Sequence, residues 1–325
     1  MIKKLTGKTL SIIFLLNLMI SFSGCQRNYS EINRSGTYFD TIITITLYDK
    51  DQSSYLDGCM KLAEKYENYF STTIPTSDIA KINSSAGSPV EVHQDTIDII
   101  KKSIKYSEMT DGRFDITIGK LSSLWQEAIK TKTVPDADAI ESARQTVDYK
   151  NINISGKSVR IAPGQAIDLG GIAKGYIADK MASYLKKHGV KSALINLGGN
   201  VYCINEKPDG SKYNVGIKKP FSKSGEVATS VECANTSVVT SGTYERYFKK
   251  NGIIYHHIID LTTGYPCQNK FDSVTIISKN STDGDALSTS LFLLSKKDIK
   301  KFIRNHNDIE VRIVAKDGNI ETIRK

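Results

Sequence analysis

Asp285 and Thr289 stand four residues apart at the start of an apolar run, "DGDALSTSLFLL" (283–294). On a helix that spacing stacks a carboxylate and a hydroxyl on one face, and both are hard oxygen donors of the kind Mg²⁺ takes. The same two residues read equally as a helix cap and a hydroxyl returned to its own helix backbone. "AIDLGGIAKGYIADK" (166–180) sets Gly170 and Gly171 between Asp168 and Lys174, where an apolar run becomes a helical pattern. It is either a strand-to-helix turn or a loop that lets the backbone approach a phosphate or a metal. "TDGRFDITIGKLSSLW" (110–125) gathers Asp111, Arg113 and Asp115 around Gly112, a pattern that a turn with a helix cap also explains. "LINLGGN" (194–200) ends an apolar strand in two glycines, as a bulge or turn, or as backbone N–H groups facing a ligand. In "TSGTYERYF" (240–248) two hydroxyls, a glycine and Arg246 have the composition of a phosphate grip. His256 and His257 are adjacent, so on a strand they point to opposite faces and one at most joins a given site.

The elements that would position these residues follow from periodicity. "YFDTIITITLYD" (38–49) is β-branched and aromatic and predicts a strand. Apolar residues at Leu56, Cys59, Leu62, Ala63, Tyr66, Tyr69 and Phe70 predict a helix over 54–70, and Asp95–Met109 repeats the stripe before a turn at 110–112. Short helices are expected over 120–130 and 136–145. After residue 150 strands dominate, at 151–154, 158–162, 191–197, 213–218, 226–232, 254–260, 272–278 and 310–315. Helices at Ile172–His188, closed by Gly189, and at Asp283–Leu294 interrupt them. Asp260–Gly264 reads as a turn. The expectation is an α+β chain in which one compact unit sets a helical lobe against a mixed sheet.

Composition and the N-terminus bound the setting. With 39% hydrophobic and 24% charged residues the 325-residue chain has an ordinary globular balance. The net charge of +9 is carried by scattered lysine pairs, which read as solvated helix faces rather than a nucleic-acid surface. Lys3, Lys4 and Lys8 precede apolar Leu10–Ile20 and then small residues and Cys25, the layout of a secretory signal peptide, with an apolar core short for a membrane-spanning helix. "FSGC" (22–25) resembles the lipobox of bacterial lipoproteins, with Phe22 where leucine is usual. That resemblance implies removal of residues 1–24, lipidation of Cys25, a tether over 25–35 and a domain over 36–325. The protein would be exported and held to the cell membrane by its acyl chains, facing the periplasm or exterior. The other four cysteines, Cys59, Cys203, Cys233 and Cys267, form no CxxC or Cys/His spacing, which argues against a zinc site and leaves disulfide pairing open.

Seven stretches in order give the chain its resemblance to a known family. They are "FSTTIPTSDIAKIN" (70–83), "DGRFDITIGKLSSLW" (111–125), "DLGGIAKGYIAD" (168–179), "INLGGN" (195–200), "TSGTYERYF" (240–248), "HIIDLTTGYP" (257–266) and "DALST" (285–289). Together with "SGTYFDT" (35–41) they resemble the FAD:protein FMN transferases, the ApbE-like flavin transferases with a T-fold-related domain. The resemblance implies that FAD is the substrate and that FMN passes to a threonine or serine of an acceptor flavoprotein, with AMP released. Exported redox-pump or electron-transfer subunits would be the acceptors, and no nucleic acid is implied.

Residue by residue, the resemblance implies Mg²⁺ held by the Gly171 carbonyl, Asp285 and Thr289. It makes Asp168, Lys174, Arg113, Phe114, Asp115 and Ile258 flavin- or nucleotide-contacting positions. Ser35 and Thr73 align with further contacts where relatives often carry methionine and tyrosine. His257 becomes general base or substrate orienter, beside catalytic Asp285, and His256 the spare. Leu261 stands where the family has proline. Thr240, Ser241 and Gly242 would line the nucleotide pocket. Two other readings share these residues: an Mg²⁺-dependent FAD pyrophosphatase, in which water attacks, and a noncatalytic flavin-binding lipoprotein.

Overall fold

The structure, a computed structural model, describes residues 29–325. The expected signal peptide and Cys25 lie outside the described residues. Glu31–Lys325 forms one compact unit.

The first half is largely helical. After strands β1 (Ile32–Tyr38) and β2 (Thr41–Leu47) come α1 (Ser53–Phe70), α2 (Asp78–Ser84), β3 (Val90–Glu91), α3 (Gln94–Met109), α4 (Gly119–Thr131) and α5 (Ala137–Arg144). Short strands β4 (Asn153–Ser155) and β5 (Ser158–Arg160) then lead into α6 (Ala173–Lys187). The second half is mainly sheet: β6 (Ala193–Leu197), β7 (Asn200–Ile204), β8 (Tyr213–Lys218), β9 (Val227–Cys233), β10 (Thr236–Gly242), β11 (Tyr247–Lys250), β12 (Ile253–His256) and β13 (Phe271–Ser278). Helices α7 (Ser281–Phe292) and α8 (Lys296–Arg304) precede β14 (Glu310–Ala315) and β15 (Ile320–Ile323).

Eight strands form the main sheet, in the order β1-β2-β6-β7-β10-β13-β14-β15. The sheet expected to be mixed is antiparallel in every one of these ladders. The reason is where the long excursions end: the chain leaves β2 at Leu47, runs through six helices, and re-enters β6 opposite Leu47 at Ala193. A return to the same end of the sheet makes neighbours antiparallel. A parallel contact survives as an isolated bridge between Ile118 and Ala166.

The single strand expected over 38–49 is instead the last residue of one strand and the whole of another. Tyr38 pairs with Thr41 across a two-residue turn in which Phe39 and Asp40 have φ of +54° and +55°. That is the type I′ geometry that matches strand twist, unusual for phenylalanine, and the Phe39 N–H is held by Glu67 Oε1 at 2.7 Å. β1 opens at Ile32, inside the stretch read as a tether. The strand expected over 254–260 stops at His256, because Asp260 folds the chain into a turn, accepting from the Thr262 N–H at 2.9 Å.

Helix α6 lies against the sheet and against α7, and the main core runs beneath them through Ile43, Ile45, Tyr176, Met181, Ile195, Leu287 and Leu291. A second core, Val201, Cys203, Tyr213, Ile217, Val231 and Cys233, joins the β8–β9 ribbon to the sheet. A third gathers Leu121, Trp125, Ile140, Phe248 and Ile259.

Candidate active site

The contact between α6 and α7 is the frame of the site. Gly175, in the first turn of α6, permits it: a Cβ there would stand 2.3 Å from the Ser281 carbonyl oxygen and 2.8 Å from Asp285 Cβ. Across this gap Asp285 Oδ2 accepts the Gly175 N–H at 2.9 Å. One turn further along α6, Asp179 accepts the backbone N–H groups of Ser281 and Thr282 at 2.7 and 2.9 Å and so caps α7. Burial raises the carboxyl pKa of Asp179. Asp285 is therefore not the cap of its own helix; that work is done from another helix, and Asp285 is aimed out of α7 at the start of α6.

Thr289 also departs from the local alternative. Its neighbours Ser288 and Ser290 return their hydroxyls to α7 backbone carbonyls, at Asp285 and Ala286. Thr289 instead meets Ser241 Oγ of β10 at 3.1 Å, and Ser241 meets Ser288 at 2.8 Å. The double-glycine loop closes the cluster. A Cβ on Gly171 would lie 3.2 Å from Phe114 Cε2 and 3.9 Å from Thr289 Oγ1. Asp168 shapes the loop, with Oδ1 accepting the Gly170 N–H at 2.8 Å and Oδ2 the Ser122 hydroxyl at 2.6 Å. Lys174 Nζ donates to the Gly170 carbonyl at 3.1 Å and stands 3.7 Å from Asp285 Oδ1. The structure thus brings together Gly171, Phe114, Lys174, Asp285, Thr289 and Ser241.

The two adjacent histidines have different surroundings, His256 ending β12 and His257 lying just beyond it. His256 is 2% exposed and fully engaged: Nε2 donates to the Cys267 carbonyl at 2.8 Å and Nδ1 accepts the Ile258 N–H at 3.2 Å. Burial lowers its pKa to about 4. His257 is held by its backbone, which donates to the Arg246 carbonyl at 3.2 Å, while its buried Nδ1 has no hydrogen-bond partner. Burial, then the charges of Arg246 and His256, push its pKa down to about 3, and Lys174 adds to the effect. The ordinary value near 6.5 expected for this imidazole is therefore not the one the fold gives it.

The remaining expected residues have partners of their own. Asp115 is buried, with Oδ1 accepting from the Thr117 N–H and hydroxyl and Oδ2 from the Tyr149 N–H, so its oxygens organise a loop; burial raises its pKa. Ile258 is a core residue whose N–H and carbonyl are both engaged, the latter by the Cys267 N–H at 2.9 Å. Arg113 is half-buried just beyond a turn formed by Asp111 and Gly112, whose φ values are +50° and +72°. Ser35 is exposed on edge strand β1 and bonded to Thr44, and Thr73 is exposed and bonded to Ser71. The glycines of "LINLGGN" are the two turn residues between β6 and β7.

Gly175 and Asp179 escaped the sequence reading as site residues, although their i, i+4 spacing on α6 places them on one face. Among the described residues no group of three His, Cys, Asp or Glu is placed to hold a metal. The donors here are one carboxylate, hydroxyls and backbone carbonyls, the hard-oxygen set of a small divalent cation that keeps open positions for water or phosphate.

Comparison with known proteins supplies the family. Residues 39–313 match the ApbE family. A FAD:protein FMN transferase of Klebsiella pneumoniae (strain 342) is 36% identical over 282 residues, covering 86% of this chain and 87% of the relative. One from Treponema pallidum is 30% identical, covering 91% and 88%. The crystal structure of an ApbE protein from Thermotoga maritima superposes with a TM-score of 0.84 at 31% identity, covering 90% of this chain and 97% of that one. By its seven ordered motifs, its fold and these matches, the chain belongs to the ApbE family.

Proposed function

We propose that this protein is an FAD:protein FMN transferase that moves FMN from FAD to a threonine or serine hydroxyl of an acceptor flavoprotein and releases AMP. The observation that carries the reading is the meeting of Asp285, Thr289 and the Gly171 loop beside Lys174, from elements more than a hundred residues apart in sequence. Mg²⁺ fits this oxygen set, with Asp285, Thr289 and the Gly171 carbonyl as its holders. When bound it would supply positive charge against the diphosphate oxygens of FAD.

The chain's own groups account for the rest. Lys174 is an ammonium already drawn towards Asp285, placed to pair with phosphate oxygens as a point charge. Asp285 is fixed in orientation by the Gly175 N–H, so it stays aligned without rearrangement. His257 is neutral at physiological pH, and Nδ1, buried and without a partner in the fold, would take the proton of the incoming hydroxyl. Its low basicity reflects burial and nearby positive charge; an anionic substrate beside it acts in the opposite direction and strengthens the base.

Incubation with FAD, Mg²⁺ and an acceptor domain tests the reading. The expected product is an acceptor band whose flavin fluorescence survives denaturation. Free FMN with no labelled acceptor would establish hydrolysis in place of transfer.

The N-terminal pattern supports export and anchoring through acyl chains on Cys25, each buried methylene adding about 0.8 kcal/mol of membrane affinity. Cys25→Ser should release the protein from the membrane fraction; continued membrane retention would remove the anchor. Exported flavoprotein subunits are then the accessible acceptors.

A further inference from the structure

Strand β7 is buried on both faces. Tyr202 and Ile204 join the main core, while Val201 and Cys203 join the second core under the β8–β9 ribbon. The end of β9 alternates, with Val231 and Cys233 buried and Ser230 and Glu232 exposed. The chain then turns through Ala234 and Asn235, whose φ is +52°, and enters β10 with Thr236 paired to Cys203. This turn delivers Cys233 onto Cys203, and the two sulfurs lie 2.8 Å apart. Non-bonded heavy atoms settle farther apart, at about 3.5–4.0 Å for carbon pairs. Closing to an S–S bond of about 2.05 Å takes a shift of under ~1 Å.

We propose that Cys203 and Cys233 form a disulfide that pins the β8–β9 ribbon to the main sheet. Both sulfurs are buried in the finished fold, so the bond forms before the second core closes. The oxidant is a disulfide-bearing thiol carrier. One cysteine thiolate attacks its S–S bond to give a mixed disulfide, and the second displaces the carrier's remaining sulfur. The two cysteines lose two protons and two electrons, and the carrier leaves as a dithiol.

The other end of the ribbon reaches towards the candidate site. At the ribbon tip the Phe221 ring lies 6.1 Å from Tyr244 and 5.3 Å from Tyr247. Tyr244 sits between Ser241, which meets Thr289, and Arg246, whose carbonyl holds His257. The sulfur geometry is independent of the proposed activity, though an exported protein would meet an oxidising compartment.

The test is oxidative refolding of the full chain with a reduced and oxidised glutathione mixture, followed by denaturation, maleimide labelling and peptide mass mapping. The expected result is two fewer labelled thiols, recovered after reduction, with the Cys203 and Cys233 peptides linked. Reduction should also lower the melting temperature of the wild type, but not of a Cys203→Ser/Cys233→Ser variant. Labelling of both cysteines in the refolded wild type, or linkage of either to another cysteine, would overturn the proposal. The wild-type map decides even where the double variant fails to fold.

Discussion

At the scale of single residues, the site contrasts two adjacent histidines. His256 uses both ring nitrogens within the fold, whereas His257 leaves Nδ1 buried and unpartnered. Natural folds pair nearly all such atoms, so an orphan on a ring that feels the charge of Lys174 points to a missing substrate group. His257→Asn should therefore lower kcat for transfer by about 10²–10⁴-fold, the usual contribution of a general base. The KM for FAD should change far less, and single-turnover kinetics with saturating acceptor would check this. An unchanged kcat would leave His257 a packing residue. The adjacency of the histidines was legible in the sequence as a choice between opposite faces. The depressed basicity was not, because it comes from burial and from Arg246, which only tertiary folding places nearby.

At the scale of elements, the join between α6 and α7 decides the geometry, and its two glycines serve different ends. Gly175 lets the helices touch, so Gly175→Ala overpacks a buried contact against backbone and should cost about 1–3 kcal/mol of stability along with activity. Gly171 faces only Phe114 and Thr289, with room to yield, so Gly171→Ala should reduce transfer much more than it reduces the urea midpoint. Parallel urea melts and flavinylation assays on the two variants separate the roles; equal loss of both properties in Gly171→Ala would make its loop a simple turn. The helices α1, α3, α4 and α6 were readable from apolar stripes, since each buries one face. Strands β1, β7, β10, β11 and β15 were not among the expected elements. β7 shows no alternation because it is buried on both faces, and β1 is an exposed edge whose polar composition resembles a linker. The i, i+4 pair on α7 was visible from spacing alone, but its partner at Gly175 required the packing of two helices.

At the scale of the whole molecule, the main core, the second core and the antiparallel sheet hold buried groups whose titration sets the acid limit of the fold. His256 and His257 have pKa values lowered to about 4 and about 3, so between pH 6.5 and these values the unfolded chain binds protons that the folded chain refuses. Their contribution is complete above pH 6.5 and is lost as pH falls through that window, each tenfold difference in proton affinity being worth about 1.4 kcal/mol. Asp115, Asp179 and Asp272, whose pKa values are raised by burial, oppose part of this slope at its acid end. His256→Gln keeps a donor and an acceptor without the charge. Its urea midpoint should therefore fall less than that of the wild type between pH 7 and pH 4.5; identical slopes would show that His256 titrates normally.

Across all three scales, Asp285 is the carboxylate that joins the start of α6 to α7, and the proposed Mg²⁺-dependent transfer rests on it. The direct measurement is covalent FMN on an acceptor domain, for the wild type and for Asp285→Asn, across an Mg²⁺ titration and after chelation. The expected result is labelling by the wild type that saturates with Mg²⁺ and disappears with chelator. Asp285→Asn, which retains an oxygen for the Gly175 N–H, should remain folded by circular dichroism with labelling nearly abolished. Wild-type rates for the folded variant, or labelling indifferent to chelation, would contradict this role.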